Sequence, residues 1–381
     1  MIPCQRHLFD IPDNVAYFNC AYLSPLLNSV REAGFRGVER KSHPWQVGPD
    51  DFFAESEHAR RLFAELIQAD AGDVAIIPSV SYGVAVAAAN LHCREGEEIL
   101  VLAEQFPSNY YPWSEIVKRT GARMVQVERP AKGSWTEAVL DSMSERTRVA
   151  ALPQVHWTDG SFIDLNAVSS KCRQIGADLV LDVTQSIGAL PISVKELSPS
   201  FLVTAAYKWL LGPYSLGFLY VHPDYQSARP IEFNWLNRKD SENFAGLVHY
   251  RDEFQPGARR FDVGERSNFT LMPMVIAGLE QIHEWRVSHI QETLSVMTGH
   301  LAEDAKNLGL QIASPAAHAG HILGLRFPRG LPEGILSRLA EENVYVSLRG
   351  DAMRISPHLY NNQRDVNQLI DVLKISVFDQ K

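Results

Sequence analysis

Cysteine is scarce. The 381 residues hold four (Cys4, Cys20, Cys93, Cys172), scattered, with no C-x-x-C pair and no Cys/His group at zinc spacing. That excludes a disulfide framework and a structural zinc module; no metal is expected, and the thiols read as reduced. Long apolar runs are missing as well, for no stretch of about 18 uninterrupted apolar residues exists to span a bilayer. The opening MIPCQRHLFDIPDN lacks the charged-then-apolar pattern of a secretion signal, so cytoplasm is the expected address. A basic excess is absent too. With 36 Lys and Arg against 45 Asp and Glu, the formal net charge of −9 argues against nucleic acid or an anionic membrane as partner. Finally, there is no internal repeat, no low-complexity linker and no G-x-G-x-x-G turn after a strand, and the last absence removes a nucleotide-binding dehydrogenase.

What is present is alternation. Seven β-branched or apolar runs lie at 73–78, 98–103, 122–127, 148–155, 178–183, 201–206 and 217–222. Most are apolar nearly throughout, as strands covered on both faces must be. Helical stretches fall between them, at Gly83–Leu91, Tyr111–Thr120, Asn166–Gln174 and Val194–Leu197. The pattern predicts an α/β fold with a largely parallel central sheet flanked by helices. It loosens over 224–265, then resumes with a long helix over Pro273–Leu308. Strand-like runs follow at His321–Phe327, 344–349 and 353–358, with helices near Glu333–Glu342 and Gln363–Phe378. These predict a smaller α+β lobe at the C-terminal end. The expected division is a large domain over 16–258 and a small one over 259–381 with the N-terminal arm 1–15.

Ligands of open α/β sheets gather at the carboxyl ends of strands. LVLDVTQSIGA puts Asp182 and Gln185 where one apolar run ends, and LVTAAYKWLLGP puts Lys208 after another, between Tyr207 and Trp209. Each alone is ordinary, a turn-capping Asp and a snorkelling Lys. Together they are more specific. A pyridinium nitrogen needs a carboxylate to stay protonated, and an imine needs a desolvated amine across the same ring. A phosphate needs donors, which the turn Ser79-Val80-Ser81 before a small-residue helix would supply through Val80 and Ser81. Phe106, after the run EILVLA, is placed to stack on a ring.

In this order the motifs resemble those of fold-type I enzymes dependent on pyridoxal 5′-phosphate (PLP), in the class V aminotransferase group that includes cysteine desulfurases and kynureninases. The resemblance spans nearly the whole chain: YFNCAYLSPL (17–26), SVS (79–81), FPSN (106–109), QVHWTDGSFIDL (154–165), DVTQ (182–185), AYKWLLGP (206–213), RFDVGERSN (260–268) and MRISPHLYN (353–361). It implies a Schiff base on Lys208, Asp182 at the ring nitrogen, and Gln185 with His156 at the ring hydroxyl. Val80, Ser81 and Tyr207 would hold the phosphate, with Ser267 or Arg266 of a second chain of a homodimer. Arg354 would grip the substrate carboxylate as a bidentate fork, and Asn19, Tyr22 and Asn109 would line the substrate side.

Two departures narrow the reaction. SLRGDAMR (347–354) carries no cysteine ahead of the arginine, which removes the thiolate a desulfurase needs. Kynureninases favour Asp where this chain has Asn109. An aminotransferase acting on a small amino acid is therefore the first expectation. A kynureninase-like lyase is the second, supported by FPSN and Tyr207, and a PLP-fold module without catalysis is the third.

Overall fold

All seven apolar runs become strands in the computed structural model, which describes residues 1–312 and 318–378. In chain order the elements are β1 (Ala16–Tyr17), α1 (Asn28–Ser42), α2 (Ala54–Leu66), β2 (Val74–Ile77), α3 (Val80–Asn90), β3 (Glu98–Leu102), α4 (Tyr111–Thr120), β4 (Arg123–Val127), α5 (Trp135–Ser142), β5 (Thr147–Pro153), α6 (Leu165–Ile175), β6 (Asp178–Asp182), α7 (Val194–Leu197), β7 (Phe201–Ala205) and β8 (Gly217–Val221). After short turns come α8 (Leu271–Trp285), α9 (Val287–Asn307), β9 (Gln311–Ile312), β10 (Leu323–Arg326), α10 (Ile335–Glu341), β11 (Val344–Tyr345), β12 (Ser347–Arg349), β13 (Ala352–Ile355) and α11 (Gln363–Phe378).

The central sheet has the order β2-β8-β7-β6-β5-β3-β4. β8 runs antiparallel to both of its neighbours, and the other pairs in this sheet are parallel. β2 thus points the same way as β7. The carboxyl ends of β2, β3, β5, β6 and β7 share one edge with the start of β8. Pleating explains the apolar runs. Leu100, Leu152, Leu181 and Leu202 pack with α2, α5, α6 and α8 on one face, while Ile99, Val149, Val180 and Val203 pack with α3 and α4 on the other. Gly83 lets α3 lie close on the sheet, since a Cβ there would come 2.6 Å from a Val203 methyl.

Three helices lacked a clear sequence signal. α1 buries Val30, Ala33, Gly34 and Gly37, a face with almost no apolar contrast. Its small residues serve contact with α8: a Cβ at Gly37 would lie 2.3 Å from the Phe269 carbonyl oxygen. α2 and α5 are the other two. The helix expected over 273–308 is divided at Arg286, whose φ is +63°. α8 packs by Met272, Val275 and Leu279 into the core of the sheet, and α9 packs by Leu301 and Ala305 into a second core.

That second core is built on the antiparallel sheet β12-β13-β10-β9, with α9, α10 and α11 over it. β1 pairs with β11, and Ala16 and Phe18 join the same cluster. The chain is α/β with an α+β C-terminal lobe, as expected from the sequence. No described helix is long and apolar enough to cross a membrane.

Candidate active site

A cavity of about 240 Å³ opens at the shared edge of the central sheet. Each strand end contributes: Pro78 and Ser79 after β2, Gln105 and Phe106 after β3, Val155 and Trp157 after β5, Asp182 and Gln185 from β6, Tyr207 and Lys208 after β7, and Leu216 before β8. β6 and β7 are parallel neighbours with Asp182 opposite Val203, so consecutive crossovers deliver an acid and an amine to one wall.

Lys208 is 6% exposed. Burial, helped by the charge on Arg354, lowers its ammonium pKa to about 8, while Asp182 works in the opposite direction. Burial also raises the Asp182 carboxyl. Asp182 Oδ1 accepts from the Thr184 N–H at 3.0 Å. Lys208 Nζ lies 5.6 Å from the Phe106 ring centre and 5.5 Å from that of Tyr207.

Ser79 caps α3, its hydroxyl accepting from the Tyr82 N–H at 3.2 Å and lying 2.9 Å from the Ser81 hydroxyl. The N–H groups of a first helical turn have no intrahelical acceptor, and Val80 and Ser81, which begin α3, line the cavity together with Tyr207. Gln185 donates from Nε2 to the Ala21 carbonyl at 3.0 Å and accepts from Trp209 Nε1 at 3.1 Å, which leaves one amide N–H. Asn109 accepts from Trp113 Nε1 at 3.2 Å, and its buried Nδ2 has no partner.

An outer recess of about 410 Å³ continues from Lys208, lined by Tyr22, Phe106, Trp157, Tyr214, Arg349 and Arg354 among others. Arg354 stands on β13, 1% exposed, and gives Nη1 to the Trp157 carbonyl at 2.7 Å. Its Nε and Nη2 are buried without partners. Such atoms are costly unless an anion meets them.

The donor set fits PLP: an acid, an amine and an aromatic ring around one cavity, with hydroxyls and helix N–H groups at its end and an unfilled guanidinium beyond.

Three expectations need correction. His156 does not reach the cavity. Its ring nitrogens meet Thr158 Oγ1 at 2.8 Å and the Ala103 carbonyl at 3.2 Å, and the ring stacks on Trp135. Side chains alternate at a strand end, so Val155 and Trp157 face the cavity and His156 faces away. Asn19 lines neither the cavity nor the recess; its Oδ1 accepts from the Ser347 hydroxyl at 2.7 Å, and Ala21 and Tyr22 line the recess instead. Arg266, 2% exposed, donates to Asn237 Oδ1 at 3.0 Å and pairs with Asp262 at 3.2 Å within its own chain, and it lies outside that chain's cavity. Ser267, 9% exposed, lies outside its own chain's cavity. Sequence reading missed Trp157, Tyr214 and Arg349. Strand parity was the available signal for Trp157.

The family model for aminotransferase class-V matches residues 49–369. The chain belongs to the class-V aminotransferase family. It is a PLP-dependent enzyme. An uncharacterized aminotransferase of Bacillus subtilis, YcbU, is 28% identical over 83% of this chain and 82% of its own. A kynureninase of Bacillus cereus is 24% identical over 92% of this chain and 83% of its own. In structure, this class-V chain is similar to a lysine-to-alanine mutant of C-DES with glycine covalently linked to its PLP cofactor. The TM-score is 0.87 at 19% identity, over 97% of this chain and 99% of that one, which is a likeness of fold.

Proposed function

We propose that this class-V enzyme is an aminotransferase acting on an amino acid whose α-carboxylate is held by Arg354. The observation that carries the reading is the meeting of Asp182 and Lys208 in one cavity that continues into a recess ending at an unfilled guanidinium.

The bound PLP ring supplies a sink for the electron pair released when a bond to the substrate Cα breaks. Asp182 holds a proton at the ring nitrogen. Lys208, its basicity lowered by burial, takes the Cα proton at Nζ and returns it. Val80 and Ser81 by their N–H groups, with the Ser81 and Tyr207 hydroxyls, bind the phosphate, and the remaining Gln185 N–H meets the ring hydroxyl. Phe106 covers one ring face. Asn109 lines the same cavity, and its Nδ2 has no partner.

The working form is a homodimer in the cytoplasm, with Ser267 reaching the partner's phosphate. Phe52, Trp235, Phe244 and Phe269 form one aromatic cluster, and Trp45 (77% exposed), Phe233 and Tyr250 lie exposed on the neighbouring loops, which is apolar surface suited to a second copy. All four cysteines are free thiols.

The test is a panel of amino acids added to the yellow holoenzyme while its visible band is followed. Full conversion by one of them establishes transamination. A kynureninase-like reading draws on the aromatic recess of Tyr22, Phe106, Trp157 and Tyr214, which suits a bulky side chain. Release of alanine and anthranilate from kynurenine would establish it instead.

A further inference from the structure

Arg349 has no anionic partner among the described residues. Its Nη1 donates to the Leu348 carbonyl at 2.7 Å, its guanidinium carbon lies 5.5 Å from the Trp157 ring centre, and its Nε is buried with no partner. Other arginines nearby are neutralised. Arg326 on β10 meets Asp159 at 3.0 Å and Asp351 at 3.2 Å, and Arg129 meets Asp159 at 2.6 Å.

The β12–β13 ladder explains why Arg349 and Arg354 act together. Arg349 pairs with Ala352 and Ser347 pairs with Arg354. Residues directly opposite in an antiparallel ladder share a face, as do residues two apart in one strand. Both arginines therefore leave the same face as diagonal neighbours, and both touch Trp157. Arg354 holds the Trp157 carbonyl and Arg349 lies over its ring. The repulsion between them shows as a lowered Arg354 pKa, to which burial contributes most and Arg349 next.

The recess holds three cationic side chains, Lys208, Arg349 and Arg354, and no Asp or Glu among its described lining residues. Lys208 is committed to the cofactor in the holoenzyme and is not a carboxylate site. One α-carboxylate then balances one guanidinium, and the other is left unmatched in a half-buried site.

We propose that Arg349 is a specificity residue that receives a second anionic group, so that the preferred substrate is a dicarboxylic amino acid of the aspartate or glutamate class. This rests on the reading of Arg354 as the α-carboxylate site. Trp157 sets the separation of the two guanidiniums and thereby of the two carboxylates.

Calorimetry on the holoenzyme, with acids that carry no amine and so cannot react, reads the pair without catalysis. Succinate and glutarate should bind at least about tenfold more tightly than propionate and butyrate. Arg349→Gln should remove most of that margin, weakening the dicarboxylates more than the monocarboxylates, and Arg349→Lys should restore part of it. On the holoenzyme, aspartate or glutamate should shift the visible band at concentrations at least about tenfold below asparagine or glutamine. Equal affinity for mono- and dicarboxylates, or a margin that survives Arg349→Gln, would overturn the proposal. A holoenzyme converted by neutral amino acids but not by acidic ones sinks this inference alone. One converted by no amino acid sinks the aminotransferase reading, while the calorimetry still reads Arg349.

Discussion

Asp182 ends β6, and Lys208 stands just past the end of β7, its parallel neighbour, so one sheet edge presents a carboxylate and an amine to the same cavity. Burial acts on the two in opposite senses, raising the acid's pKa and lowering the amine's, so both are pushed towards their neutral forms. A cationic ring nitrogen set against Asp182 restores its charge, and an uncharged Lys208 is the form that attacks a carbonyl carbon or takes a proton.

Replacing Lys208 by Ala should abolish the visible band. Turnover should fall by at least about 10³-fold, within the range of a positioned proton-transfer group. Far-UV dichroism should be unchanged, because only a buried ammonium is lost. Steady-state rates and absorbance spectra check both parts.

The depressed Lys208 pKa gives a pH signature. The neutral amine is the attacking form, so PLP uptake by apoprotein should accelerate as pH rises and level off above about 8. An amine at its ordinary value of 10.5 would keep accelerating well beyond that. Stopped-flow absorbance across this range decides.

Asp182→Asn should leave the lysine linkage intact, since the amide occupies the same space, but it removes the charge that keeps a proton on the ring nitrogen. The expected loss is about 10²- to 10⁴-fold in turnover with the visible band retained. An unchanged rate would mean that Asp182 does not meet the ring.

Much of this was legible because burial on both faces of a sheet forces apolar runs, and because the chemistry sits where those runs stop. Asp182, Lys208 and Ser81 stand where that rule points, and their roles came from reading them together and from the family resemblance. His156 and Trp157 show its limit: both follow the same strand, and only the pleat decides which one turns inward. Asn19 was misread because its partner, Ser347, is remote in sequence. Arg349 looks like any strand-end arginine until the ladder sets it diagonally from Arg354 and neighbouring acids are seen to serve Arg326. α1 was hidden because its buried face, Val30 apart, is made of Gly and Ala, which carry little apolar contrast.

The fold has its own weak point. Arg60 and Asp262, both fully buried, join α2 to the segment before α8 through bonds of 2.8 and 3.1 Å, and Asp262 also accepts from the Ile76 N–H at 2.6 Å. Arg60→Met would leave that carboxylate without its principal cation. A loss of about 3–5 kcal/mol is expected in urea unfolding, far more than an exposed pair such as Lys118–Glu115 contributes.

The central claim is that PLP is held on Lys208 in this cavity. Borohydride reduction of the holoenzyme, followed by digestion and mass spectrometry, tests it most directly. A phosphopyridoxyl group fixed on the Lys208 peptide alone is the predicted result. The same group on a different lysine, or on none, would contradict the account.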